Sequence, residues 1–118
     1  MSDEAKIIRA TFFQLESGRQ PVRDWLRGEL TEEQRTEIGS DLRTVEYHWP
    51  VGMPTVRKIE PDLWEVRTSF KEGIARVFFT VKDARMILLH GYIKKSQKAP
   101  QEDLDLARKR LAIAKGRD

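Results

Sequence analysis

The sequence predicts an α+β domain: one strand, a helix pair, four strands in an antiparallel meander and a closing helix. Three observations carry that prediction. The chain has 118 residues, the length of a single domain. Its apolar residues change period along the chain, from strand-like to helical, back to strand-like and again to helical. The links between the four central strand-like segments are short and rich in turn residues, which favours antiparallel neighbours.

Residues 7–13, IIRATFF, are β-branched and aromatic and read as the first strand. Glu16-Ser17-Gly18-Arg19 is a turn cluster. Pro21 then opens a short helix with Val22, Trp25, Leu26 and Leu30 on one stripe. Thr31 followed three residues later by Gln34 has the form of a capping box. The helix it opens carries Ile38, Leu42, Val45 and Trp49. A tight turn makes the two helices an antiparallel pair. Pro50, Gly52 and Pro54 end it. Strands follow at 56–59, 63–69, 74–81 and 85–92, linked by Glu60-Pro61-Asp62, Lys71-Glu72-Gly73 and Lys82-Asp83-Ala84. After Pro100, the stripe Leu104, Ala107, Leu111, Ala114 marks the last helix. Glu102 and Asp103 suit its positive end and Lys115 its negative end, with Gly116 as the C′ residue.

The composition, 39% hydrophobic and 35% charged, is that of a folded domain. The absence of cysteine excludes disulfide frameworks, thiol catalysis and zinc ribbons. Only two histidines, His48 and His90, argue against a multi-histidine metal site, and no metal or small-molecule cofactor is expected. No apolar run reaches membrane-span length and the start MSDEAK lacks a signal-peptide pattern, so a cytoplasmic protein with no membrane partner is expected. Charge is divided unevenly. Residues 1–50 hold seven basic and ten acidic side chains, net −3; residues 51–118 hold fifteen and nine, net +6. Such unevenness suggests a polyanion partner for the second half, although composition alone favours a merely solvated basic surface.

The hairpin 63–69/74–81 carries the best chemical argument. Closed by Glu72-Gly73, or by 70–73 as a four-residue loop, it places Glu65, Arg67, Ser69, Arg76 and Phe78 on one face. In the second register Arg67 and Arg76 stand directly opposite. Like charges at that spacing repel, unless an anion or a carboxylate such as Glu65 bridges them. Guanidinium forks match phosphate oxygens and can stabilise charge in a phosphoryl transition state. Asp83-Ala84 as a two-residue turn sets Gly91 beside Arg76, leaving room for a ligand. That register turns His90 and Tyr92 to the opposite face, as residues of the core edge. Lys94, Lys95 and Lys98 follow at the strand exit, where they could reach a nucleic-acid backbone, with Lys58 as a further contact. Trp25, Trp49 and Trp64 read as core.

Leu63-Trp64-Glu65-Val66-Arg67, then Arg76-Val77-Phe78-Phe79, then the run from Leu88-Leu89-His90-Gly91-Tyr92 through Lys94-Lys95-Ser96-Gln97-Lys98-Ala99-Pro100, resemble the RelE/ParE toxin superfamily, in its HigB/Tad-like, often phage-borne branch. Gly18-Arg19-Gln20-Pro21-Val22, Trp25-Leu26, Ala107 and Arg110 extend the likeness over nearly the whole chain. The resemblance implies a type II toxin that cuts mRNA on the ribosome and is neutralised by a helix-turn-helix antitoxin. It implies a RelE-like antiparallel sheet with helices on one face. It assigns transition-state charge to Arg76, and phosphate orientation to Arg67 with Lys94 or Lys95. Glu65 stands where the RelE branch has a lysine, which makes it a candidate general base. His90 and Tyr92 occupy the strand where other branches place a histidine or tyrosine. Ala99 stands where a capping threonine is common. A ParE-like toxin acting on DNA gyrase, or an inactive nucleic-acid-binding relative, are the alternatives.

Overall fold

The computed structural model describes residues 5–94 and 100–117. Its elements run β1 (Arg9–Phe12), α1 (Pro21–Gly28), α2 (Glu32–His48), β2 (Val56–Glu60), β3 (Leu63–Phe70), β4 (Gly73–Lys82), β5 (Arg85–Lys94) and α3 (Gln101–Lys115). The order and type of all eight follow the sequence expectation. The capping box is present: Gln34 N–H donates to Thr31 Oγ1 at 3.1 Å, and Thr31 N–H donates to Gln34 Oε1 at 3.0 Å. At the end of α3, Gly116 is a right-handed C-cap rather than a left-handed C′ residue. The last carbonyls are covered from outside the helix by the Lys82 ammonium, which donates to Ala114, Lys115 and Arg117.

The five strands form one sheet in the order β1-β5-β4-β3-β2. β2 to β5 are the expected antiparallel meander. β1, however, pairs with β5 in parallel, so the sheet is mixed. The helix pair carries the chain from β1 across to the far edge, and the meander returns it to β1's side. Apolar alternation marks a strand but carries no direction, so this pairing had no local signature.

The helices occupy both faces, which corrects the one-face expectation. On the first face, Val22 of α1 and Ile38, Leu42 and Val45 of α2 pack on Val66, Val77, Phe79 and Leu88. Trp25, Trp49 and Trp64 border that core, as expected of packing residues. On the second face, Ala107, Leu111 and Ala114 of α3 cover Leu63, Phe78, Ile87 and Leu89. The second face therefore has an apolar part beneath α3 and a polar part beside the helix N-terminus.

Two register details set that polar part. β3 and β4 turn through Lys71-Glu72, which pairs Phe70 with Gly73 and sets Arg67 directly opposite Arg76. This is the register in which the arginines face each other. Between β4 and β5, Asp83-Ala84 forms the expected turn, with positive φ at both residues. The pairing then slips at a β-bulge, from Phe79↔Leu88 to Phe78↔His90. Leu89 is the extra residue. The slip moves Tyr92, not Gly91, opposite Arg76.

Candidate active site

A buried carboxylate lies at the centre of the polar part. Glu65 is 1% exposed. It stands across from Arg57 on β2 and Phe78 on β4, and Phe78 stands across from His90. The next row is Arg67, Arg76 and Tyr92. Glu65 Oε1 is 3.7 Å from Arg76 Nη1 and 4.0 Å from Arg67 Nε. Removing such charges from water costs several kcal/mol per ion, offset only by close pairing. One carboxylate between two guanidiniums leaves a net positive charge. The pairing is also incomplete: Glu65 Oε1, Arg67 Nε, Arg76 Nε and the Tyr92 hydroxyl are buried without a well-formed hydrogen bond. Each such group costs about 1–3 kcal/mol. Four such atoms gather on one patch.

The bulge at Leu89 corrects the expected placement of His90 and Tyr92. Both lie on the arginine face, in a strip with Phe78 whose ring centroids are 5.9 to 6.4 Å apart. His90 Nε2 is 2.6 Å from Asp103 Oδ1 in the first turn of α3, which ties that turn to β5. Burial raises the Tyr92 phenol above its ordinary value of 10, against the opposing influence of the Arg76 charge. It is therefore a protonated group near neutrality. Gly91 faces the other way. A Cβ there would lie 2.4 Å from Cζ3 of Trp25, so the glycine admits the indole rather than a ligand beside Arg76.

A pocket of about 320 Å³ opens over this patch. Glu65, Arg76, Tyr92 and Lys94 form its charged side; Ile59, Phe78 and Leu104 form an apolar side; Arg57, Pro100 and Gln101 complete it. Of the residues singled out in the sequence, Glu65, Arg67 and Arg76 are brought together, and Lys94 joins Glu65 and Arg76 in the pocket lining. Arg67 flanks Glu65 without lining the pocket. Lys95 and Lys98 lie outside the described residues. Lys58 is not part of the patch. Strand alternation points it to the first face, with its ammonium 5.9 Å from the Trp64 ring centre. The neighbouring Arg57 takes its place, and that alternation was readable beside Val56. Among the described residues no three His, Asp or Glu side chains converge as a metal site.

A family model described as "Phage derived protein Gp49-like (DUF891)" matches residues 24–112, which include every side chain of the patch. That family falls within the RelE/HigB-like toxin superfamily. No curated protein matches the chain.

Proposed function

The chain belongs to the phage-derived Gp49-like family, and from that premise we propose that it is the toxin of a type II toxin-antitoxin system, a ribosome-dependent endoribonuclease that cuts mRNA without a metal. The observation that carries the reading is the opposed pair Arg67 and Arg76 around buried Glu65, with Glu65, Arg76 and Tyr92 lining one pocket. Such a patch offers positive charge to an anion, and one carboxylate to a proton.

RNA supplies its own nucleophile, the 2′-hydroxyl. In the proposed reaction that oxygen attacks the adjacent phosphorus while Glu65 accepts its proton. Arg76 and Lys94 hold the non-bridging oxygens, and Arg76 stabilises the charge that grows on them. The bond from phosphorus to the 5′-oxygen breaks, and Tyr92 gives that oxygen a proton. Arg76 then faces the resulting phenolate. The products are a 2′,3′-cyclic phosphate and a 5′-hydroxyl. His90, held by Asp103, fixes the floor beside Tyr92. Arg67, 4.0 Å from Glu65, holds that carboxylate in place. The partners of this reading are mRNA in the ribosomal decoding site and a cognate helix-turn-helix antitoxin.

Controlled expression in a bacterium tests the proposal, wild type beside Arg76→Ala, with new mRNA 5′ ends mapped. Wild type is expected to arrest growth and to cut at in-frame codon positions. The variant is expected to lose at least about a hundredfold in cutting, the scale of one lost transition-state donor. Arrest without cuts would transfer the proposal to a gyrase-type target.

A further inference from the structure

We propose that the apolar side of the pocket is a base-binding subsite, and that Arg57 at its rim selects the base, favouring guanine. The inference rests on the nuclease reading of the same pocket and names what that pocket reads. The pocket has two chemically different sides. Arg76, Tyr92 and Lys94 suit a phosphate, whereas Ile59, Phe78 and Leu104 offer it nothing. Apolar walls beside a charged patch suit a flat ring joined to a phosphate. The volume of about 320 Å³ is at the low end for ligand pockets, so it takes one nucleotide rather than a run of them.

Arg57 is placed to read that ring. It stands directly across from Glu65 in the β2–β3 ladder, yet it forms no ion pair with Glu65. Among the described residues no partner is found for its guanidinium, although carboxylates abound elsewhere on this face. Arg108 takes Glu60 at 2.7 Å and Lys115 takes Asp62 at 2.6 Å. Gln101, on the roof, donates from its amide nitrogen to Asp105 at 2.9 Å. Among the described residues Arg57 is thus an unpaired, donor-only fork at this side of the pocket. A fork of N–H groups needs two acceptors on one edge. Guanine presents them at O6 and N7, on the edge away from the sugar, whereas adenine places a donor beside N7, uracil has a donor between its two oxygens, and cytosine's acceptor pair, N3 and O2, lies on the edge next to the glycosidic bond.

Direct binding of single nucleotides tests this without requiring turnover. Calorimetry with guanosine, adenosine, cytidine and uridine 3′-monophosphates is run on wild type, Arg57→Gln, Arg57→Lys and Arg76→Ala, each checked for native circular dichroism. Guanosine monophosphate is expected to bind wild type about tenfold tighter than the other three. Both Arg57 variants are expected to reduce that preference below about threefold, the lysine because it keeps the charge and loses the fork. Arg76→Ala is expected to weaken all four nucleotides together. Equal binding of the four by wild type, or a guanine preference that survives both Arg57 variants, overturns the inference while leaving the nuclease reading intact. Nucleotide binding indifferent to Arg76→Ala places the ligand outside the pocket and overturns both. A guanine preference lost with Arg57, in a protein that cuts no mRNA, upholds the subsite and removes the nuclease reading alone.

Discussion

Glu65 and Tyr92 show what single residues contribute here. Glu65 is the shared counter-ion of two guanidiniums whose side chains are 11% and 24% exposed. Glu65→Gln keeps the shape and removes the charge, leaving two cations facing each other in a largely dry place. The expected loss of stability in urea unfolding is about 3–5 kcal/mol, the cost of breaking a buried pair. A loss under about 1 kcal/mol would mean that solvent already neutralises the arginines. Tyr92 carries a testable pH dependence. Its phenol is raised above 10 in the folded protein, chiefly by burial. A group raised on folding stabilises the protein fully below its unfolded value, and that contribution is lost as pH climbs through the folded value. The absorbance titration of wild type minus Tyr92→Phe is therefore expected to have a midpoint above 10, with stability falling over the same range. A midpoint at or below 10 would mean that Arg76 outweighs burial.

At the scale of elements, β5 decides the site and was the least legible from sequence. Strand existence, the capping box and the helix stripes were readable because each has a local periodic or pairwise signature. The opposition of Arg67 and Arg76 was legible only as one of two hairpin registers that turn length left open. The bulge at Leu89 had no such signature. Leu88 and Leu89 are both apolar and fit either face, and in the structure they enter different cores. One inserted residue inverts everything beyond it on the strand. That is why His90 and Tyr92 were expected at the core edge and stand beside Arg76 and Phe78 instead. Gly91 reports on the same slip from the other face. Gly91→Ala is expected to cost about 1–3 kcal/mol through overpacking on Trp25. Trp25→Leu should recover part of it in thermal unfolding of the double variant. A neutral Gly91→Ala would contradict the close approach of the indole.

Over the whole molecule, charge and architecture divide along the same line. Residues 1–50, net −3, supply β1 and the helix pair on the first face; residues 51–118, net +6, supply the meander, the site and α3. A polyanion approaching the second face meets the pocket, with the more acidic helices behind the sheet. Long-range attraction of that kind aids encounter and weakens with salt. The proposed reaction rests instead on the short-range patch of Glu65, Arg76, Tyr92 and Lys94, with RNA's own 2′-hydroxyl as the nucleophile. The most direct measurement uses a cell-free translation reaction programmed with an mRNA whose mapped cut site is rebuilt with either a ribose or a single 2′-deoxyribose. Cutting of the ribose mRNA alone is expected, with a 2′,3′-cyclic phosphate and a 5′-hydroxyl at the new ends, and no cutting of either by Arg76→Ala. Cutting of the deoxy-substituted mRNA, or ends bearing a 3′-hydroxyl and a 5′-phosphate, would contradict the proposed reaction.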